Sequence, residues 1–246
     1  MFTLLFGSYE FPNQTFEVKG LPLVNDINVE RVPRRHGANI FDPYLKERYF
    51  RIEGQVHNAQ ASDSLTQLLA LQKALLAGED DFQYSSDRYI KCYTKNLTPD
   101  FHPGTDKAVI KVAIDMVAQV PFFFSAGASY SGFTDVSGTT TLFDIFSGGN
   151  AFAEPIIYFY ASGATISNDI WLQNLTTGES MNWRGIVPAG QTLAIHSDTL
   201  EAYLNSVPGA TNFEGDFLIL ASGTNNFQFV GTDCRITVEH KWRWYA

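Results

Sequence analysis

The chain has 246 residues, a net charge of −9 and only 17% charged residues. The length allows one large or two small domains, and the acidic balance argues against a protein that reads nucleic acid, which would concentrate Lys and Arg. The low share of charge fits either a surface partly covered by other chains or a polar surface rich in Ser, Thr and Asn.

Residues 48–124 carry the clearest pattern, in the order strand, helix, strand, strand. Alternating residues predict strands over 48–54, where Gly54 stops the run, and over 88–94. Apolar residues at every second position predict a long strand over 110–120 with one buried face. One helix among several strands indicates a small β-rich domain with a single covering helix.

The helix is predicted over residues 63–77. Ser62 or Asp63 can cap its first turn, and Gly78 follows its last turn, where a left-handed residue is often needed. The apolar stripe that we expect the helix to bury consists of Leu65, Leu68, Leu69, Leu75 and Leu76. A charge at Leu68 or Leu69 is therefore expected to prevent folding of this domain.

Composition changes over residues 127–151, where Gly, Ser and Thr dominate. This change predicts a linker between a domain over 1–126 and a second domain over 152–246. In the second domain short strands alternate with turn signals, and the clearest alternation runs over 236–244. The pattern indicates an antiparallel β-sandwich, and a fragment that begins near Gly149 is expected to fold alone.

Few residues of this sequence offer chemistry. Cys92 and Cys234 lie far apart without a CxxC pattern, so buried free thiols are favoured. The histidines show neither metal-ligand spacing nor a triad partner, so we predict no catalytic, metal or cofactor-binding residue and no cofactor. Arg34, Arg35 and His36 form the most basic spot, which fits a loop that contacts an acidic neighbour or a solvated loop. No apolar run approaches the roughly 20 residues of a membrane helix, so no membrane insertion is expected.

Two sets of motifs run in order along the chain. The N-terminal set is Pro33-Arg34-Arg35-His36-Gly37-Ala38, Arg51-Ile52-Glu53-Gly54 and Val120-Pro121-Phe122-Phe123-Phe124. The C-terminal set is Leu172-Gln173-Asn174-Leu175-Thr176-Thr177-Gly178-Glu179, Pro188-Ala189-Gly190, Leu220-Ala221-Ser222-Gly223-Thr224-Asn225 and Lys241-Trp242-Arg243-Trp244-Tyr245. In this combination the whole chain resembles a distal tail protein of long, non-contractile-tailed bacteriophages.

The resemblance implies a mainly β chain with two domains. The N-terminal domain would be a barrel-like or sandwich-like belt with one α-helix, of which six copies close into a ring. The C-terminal domain would be a galectin-like antiparallel β-sandwich. The ring would lie at the distal end of the tail of the virion, between the tail-tube protein and the tail-associated hub protein, and DNA would pass its lumen without specific binding. Arg34, Arg35 and His36 become candidate ring or neighbour contacts, and receptor-binding or side-fibre proteins are further candidate partners.

A carbohydrate-binding, lectin-like host-adhesion module is the alternative function. Trp171, Trp183 and Tyr203 are its candidate glycan contacts, because sugars stack on exposed aromatic rings. Core or interface positions for these three aromatic residues are favoured, so tight glycan binding is not expected from them. Nothing in the sequence selects a pair of catalytic carboxylates, so the chain is not expected to be an enzyme.

Overall fold

The computed structural model describes residues 4–11, 16–20, 25–31, 38–57, 61–83, 85–101, 109–131, 134–136, 140–166 and 170–245. The chain divides into an N-terminal unit of Met1–Ala126 with Tyr245–Ala246 and a C-terminal unit of Gly127–Trp244. Strands predominate in both units, and α1 is the one α-helix of the described residues. The predicted mainly β fold class is therefore confirmed.

The N-terminal unit is built from antiparallel strands and one helix. Its elements are β1 (Leu5–Phe6), β2 (Tyr9–Glu10), β3 (Glu17–Lys19), β4 (Asn25–Arg31), β5 (Ala38–Leu45), β6 (Arg48–His57), α1 (Ala61–Leu75), β7 (Asp80–Gln83), β8 (Arg88–Asp100), β9 (Val109–Ala118) and β10 (Phe123–Ser125). The strand order is β2-β1-β7-β8-β9-β6-β3, with β10 beside β8. β4 and β5 form a separate two-stranded ribbon.

Strand β9 shows why alternation predicts the sheet. Its side chains at Ile110, Val112, Ile114 and Met116 are buried, and the residues between them are more exposed. β6 pairs with β9 along its whole length and continues past Gly54 to His57, so the prediction that Gly54 ends this strand was wrong. Gly54 instead makes room for a neighbouring ring, because a Cβ atom at this position would lie 2.4 Å from the ring of Phe16.

Helix α1 packs against β6, β8 and β9 but buries a different stripe from the predicted one. Its buried side chains are Ser64, Leu68, Leu71 and Leu75. Three leucines of the predicted stripe lie in the solvent instead: Leu65, Leu69 and Leu76 are 47%, 56% and 76% exposed. Leucines at 65, 68, 69, 75 and 76 cover two adjacent faces of a helix, and only the packed sheet selects one of them.

Arg48 is an unexpected member of the N-terminal core, because its side chain is almost fully buried. Its guanidinium donates a hydrogen bond to the backbone carbonyl of Tyr245 and lies 4.9 Å from the ring centroid of Phe123. Nearby, the rings of Phe50 and Phe82 pack at 5.4 Å between centroids. An arginine with a long aliphatic stem can occupy such a position when its head is hydrogen-bonded.

The C-terminal unit is a sandwich of two antiparallel sheets. Its elements are β11 (Ser129–Tyr130), β12 (Thr134–Val136), β13 (Thr141–Ser147), β14 (Ile156–Tyr160), β15 (Ile170–Asn174), β16 (Ser180–Trp183), β17 (Thr192–His196), β18 (Glu201–Leu204), β19 (Val207–Pro208), a 3-10 turn (Ala210–Asn212), β20 (Phe213–Gly215), β21 (Gly223–Val230), β22 (Cys234–His240) and β23 (Arg243–Trp244). One sheet has the order β11-β22-β14-β17-β18-β19, with β12 on β22, and the other has the order β13-β21-β15-β16-β20. One cluster of buried apolar side chains from both sheets forms the core, which confirms the predicted sandwich.

The predicted linker over 127–151 belongs to this sandwich. β11 and β12 pair with β22, and β13 pairs with β21 over all seven of its residues. The linker prediction was wrong because the Gly, Ser and Thr content of the whole segment hid the short apolar strand β13, which carries Leu142, Phe143, Ile145 and Phe146. Ile145 turns inward while Leu142 and Phe146 face the solvent. At the other end β22 stops at His240 and does not continue to residue 244.

Two buried amides explain the longer motifs of the C-terminal half. Asn174 donates to the carbonyl of Ile219 at 2.8 Å and accepts from the amide of Thr176 at 3.0 Å. Asn225 accepts from the amide of Ala221 at 2.8 Å and donates to its carbonyl at 2.9 Å. These side chains satisfy turn backbone that would otherwise be buried without partners. The motifs therefore maintain the fold of the sandwich.

Candidate interaction surfaces

Trp183 does not face solvent. Its side chain is 0% exposed at the centre of the sandwich core. Gly185 and Gly209 approach the indole so closely that a Cβ atom at either glycine would come within 2.7 Å of the ring. The prediction that Trp183 contacts a glycan was therefore wrong, and its favoured core position is the observed one.

Trp171 and Tyr203 lie on different sheets of the sandwich. Trp171 belongs to β15, and Tyr203 belongs to β18. The hydroxyl of Tyr203 donates to the carboxylate of Glu201 at 2.6 Å, and this hydrogen bond raises the pKa of Tyr203. The three aromatic residues named in the sequence thus do not meet in one site. Arg34, Arg35 and His36 lie outside the described residues.

The helix of the N-terminal unit presents an apolar outer face. Leu65 and Leu69 project from it, exposed Leu76 follows its last residue, and Asp63 and Lys73 are the charged residues of its first and last turns. An exposed leucine row of this kind is typical of a surface that another chain covers. These three leucines are visible in the sequence, but their spacing predicted a buried stripe and not an exposed one.

Strands β3, β6 and β9 carry a row of paired charges on their exposed side. Lys19 contacts Glu53 at 2.7 Å, and Arg51 contacts Asp115 at 2.7 Å. The hydrogen bond from Arg51 lowers the pKa of Asp115, and the hydrogen bond from Lys19 lowers the pKa of Glu53. Exposed ion pairs of this kind stabilise a fold little. Their main consequence is that Lys19 and Arg51 are already paired with carboxylates.

A groove of about 530 Å³ lies beside β11, β13 and β22 of the C-terminal unit. We call it the β13 groove, and its wall includes Tyr130, Thr134, Asp144, Phe146, His240 and Trp242. The rings of Phe146 and Trp242 meet edge to face with 6.4 Å between centroids. None of these residues was predicted as a site, because β11 and β13 lie within the predicted linker.

His240 is the buried polar residue of this groove. Its side chain is 4% exposed, both ring nitrogens are inaccessible to solvent, and the backbone of Phe146 is a hydrogen-bonding neighbour of the ring. Burial lowers the pKa of His240. The hydrogen bond with the backbone of Phe146 favours the charged ring and raises the pKa, but this effect is the smaller of the two. The imidazole is therefore neutral at pH 7, with one donor and one acceptor nitrogen.

The two cysteines are buried free thiols, as predicted. Burial raises the pKa of Cys234 to about 12 and raises the pKa of Cys92 still further. Both thiols are therefore protonated and unreactive at neutral pH.

Among the described residues, no group of three or more His, Cys, Asp or Glu side chains is placed to hold a metal ion. Nothing helical in that part of the chain has the length and apolar character of a membrane span.

The chain is therefore a mainly β protein of two units, with one helix in the N-terminal unit and a β-sandwich as the C-terminal unit. Among solved structures, the chain is similar to SPP1 Dit (gp 19.1), whose crystal structure is described as a paradigm of the hub adsorption apparatus in phages that infect Gram-positive bacteria. The TM-score is 0.76 at 14% identity, over 98% of each chain. It is also similar to a chain of the phage P2 baseplate in its activated conformation with Ca, with a TM-score of 0.49, 9% identity, and coverage of 95% of this chain and 92% of that chain. No family model and no curated protein sequence matches the chain. The likeness to SPP1 Dit establishes a shared fold.

Proposed function

We propose that this chain is a structural protein at the distal tip of a phage tail. Six copies form a ring that joins the tail tube to the tail-associated hub protein, and the chain has no enzymatic role. The observation that carries the proposal is the fold shared with SPP1 Dit over 98% of both chains. The order of the motifs along the sequence points to the same class of protein.

The outer surface of the N-terminal unit supports assembly with other chains. Leu65, Leu69 and Leu76 give it an apolar face that solvent does not favour. A closed ring would cover such a face and would also protect open strand edges from uncontrolled pairing. Arg34, Arg35 and His36 remain candidate ring or neighbour contacts, and receptor-binding or side-fibre proteins remain candidate partners.

Light scattering behind gel filtration, with negative-stain images of the same peak, tests the ring. We expect a species of about 165 kDa, six times the chain mass of 27.5 kDa, that appears as a hollow ring. If the purified chain is a monomer, tail-tube and hub proteins are added. A chain that stays monomeric and binds neither protein contradicts the proposal.

The charge of the chain supports passage of DNA without binding. The net charge is −9, which disfavours the release of counterions from phosphates, and Lys19 and Arg51 are already paired with Glu53 and Asp115. In fluorescence anisotropy with a labelled DNA duplex, we expect no saturable binding up to about 10 µM protein at physiological salt. The variant with Glu53→Lys and Asp115→Lys should bind in a salt-dependent way. Tight binding by the unmodified chain would contradict this part of the proposal.

A further inference from the structure

We infer that the open edge of β13 pairs with one extended segment of a partner protein, and that this segment carries a Lys or Arg between two apolar residues. Among the described residues, β13 pairs with β21 on one side and with no strand on the other. The inference does not rest on ring formation, because every residue that it uses belongs to the C-terminal unit.

The backbone of Asp144 points toward the open edge. Asp144 lies opposite Asn226 in the ladder between β13 and β21, but the backbone of Asn226 is bonded on its other side. The N–H of Asn226 donates to the hydroxyl of Thr176 at 2.9 Å, and its carbonyl accepts from the amide of Leu175 at 2.7 Å. Because hydrogen-bonded and non-hydrogen-bonded pairs alternate along an antiparallel ladder, Leu142 has the same orientation as Asp144. The N–H and C=O groups of both residues are thus directed at the edge.

The β13 groove provides the space for an added strand. Its wall includes Asp144, which faces solvent, and Ile145, which faces the core, so the groove lies along the edge of the strand and not over one face. An added strand lies about 4.8 Å from the edge, and unpaired edge groups are the template for such an addition. The ring of His240 already neighbours the backbone of Phe146, so the free groups of the edge are those of Leu142 and Asp144.

Side chains on the solvent face of β13 select the residues of the added strand. Leu142 and Phe146 are 68% and 61% exposed, and Asp144 lies exposed between them. The residues opposite these three on β21 are polar: Gln228, Asn226 and Thr224. Cross-strand neighbours on one face contact each other directly. A matching segment therefore has apolar side chains beside Leu142 and Phe146, and a Lys or Arg beside Asp144.

Asp144 disfavours a second copy of β13 as the occupant. If two copies paired antiparallel with Leu142 beside Phe146, Asp144 would lie directly opposite its own copy, and like charges in this position are destabilising. A register shifted by two residues places Asp144 beside an apolar residue and gives it no counter-charge. A charge on an edge strand commonly prevents self-pairing, and here it leaves a basic segment as the favoured partner.

Fluorescence anisotropy with labelled peptides and the purified full chain tests this inference. The probe is the peptide Ser-Val-Thr-Lys-Thr-Val-Ser, and two matched peptides replace its lysine by glutamate or by a lysine methylated at the backbone nitrogen. We expect the probe to bind at least about tenfold more tightly than either matched peptide, which corresponds to about 1.4 kcal/mol. The glutamate peptide repels Asp144, and the methylated peptide keeps the charge but cannot donate to a carbonyl of β13.

Asp144→Lys reverses the charge of the edge, and this variant should prefer the glutamate peptide. Asp216→Lys is the matched control, because Asp216 is an exposed carboxylate that follows β20 at the opposite edge of the same sheet. It should bind the probe as the unmodified chain does. In hydrogen–deuterium exchange followed by mass spectrometry, the probe should slow exchange within residues 141–147.

Three outcomes overturn the inference. The first is that the probe leaves exchange within residues 141–147 unchanged. The second is that the unmodified chain binds the probe and either matched peptide equally, or that Asp144→Lys keeps the preference of the unmodified chain. The third is that a higher concentration of the chain alone protects residues 141–147, which would assign the edge to a second copy.

Discussion

At the residue scale, Gly54 shows how one missing side chain fixes a strand. The ring of Phe16 lies where the Cβ atom of any other residue would be, and Phe16 is itself held against Phe11 with 5.0 Å between ring centroids. Since Phe16 is buried, its ring has little space to move. We expect Gly54→Ala to destabilise the N-terminal unit by about 1–3 kcal/mol, the usual cost of overpacking.

Urea unfolding measures this change separately in the two units. All four tryptophans lie in the C-terminal unit, so their fluorescence follows that unit, while far-UV circular dichroism reports both. Gly163→Ala is the control, because a Cβ atom there meets nothing within 4 Å. Phe16→Ala removes the ring that clashes with the new Cβ atom. In that background Gly54→Ala should therefore lower the free energy of unfolding by less. Equal stability of Gly54→Ala and the unmodified chain would show that the ring is free to move.

A second residue-scale prediction concerns His240 and pH. Burial lowers the pKa of His240 from its ordinary value of 6.5, so below pH 6.5 the unfolded chain binds a proton that the folded chain does not. The free energy of unfolding should therefore fall as pH falls from 7.5 to 5.5, by at most about 1.4 kcal/mol per pH unit. Carboxylates ordinarily titrate mainly below this window.

Tryptophan-detected urea unfolding at pH 7.5 and 5.5 checks this linkage. His240→Gln should remove most of the difference between the two pH values. His196→Gln is the comparison, because it removes a more exposed histidine of the same unit. The same pH dependence in His240→Gln and the unmodified chain would assign the effect to other groups.

At the scale of elements, two adjacent leucines of α1 provide a matched pair. Leu68 is 5% exposed and Leu69 is 56% exposed. Leu68→Asp should prevent folding of the N-terminal unit, because it buries an unpaired carboxylate. Leu69→Asp should leave the fold intact, contrary to the expectation from the sequence. Circular dichroism and limited proteolysis distinguish the two variants, and an unfolded Leu69→Asp protein would show that the observed helix face is wrong.

Periodicity predicts elements well where only one face can be buried. β9 and β22 alternate so regularly that their buried residues follow from the sequence. Helix α1 was predicted as an element, but its leucines span two faces, and the choice between them depends on the sheet. Residues 127–151 were misassigned because the composition of the whole segment is rich in Gly, Ser and Thr, whereas the strand inside it, Thr141–Ser147, is short and apolar.

The candidate site was harder to predict than the fold. The β13 groove joins residues from β11, β13 and β22, which are separated by about a hundred positions, and only the pairing of strands brings them together. Trp183 was named because tryptophan is common in sugar sites, although it is also a favoured core residue. Exposure, which separates these two roles, is a property of the folded chain.

At the scale of the whole molecule, the limits of the C-terminal unit determine which fragment folds alone. The sandwich core includes Val136 and Ile145, and β13 covers the edge of β21. A fragment over 127–244 should therefore fold cooperatively. A fragment over 150–244 loses these two buried side chains, worth about 3–6 kcal/mol together, and exposes an apolar strand edge.

Because a domain is stable by only about 5–15 kcal/mol, the shorter fragment should be unfolded or aggregated at 25 °C. Tryptophan fluorescence and circular dichroism during thermal unfolding compare the two fragments, since both contain Trp171, Trp183, Trp242 and Trp244. Gel filtration of each sample separates monomer from aggregate. If the two fragments melt cooperatively at the same temperature, strands β11 to β13 add nothing to the sandwich, and a boundary near residue 149 is the correct one.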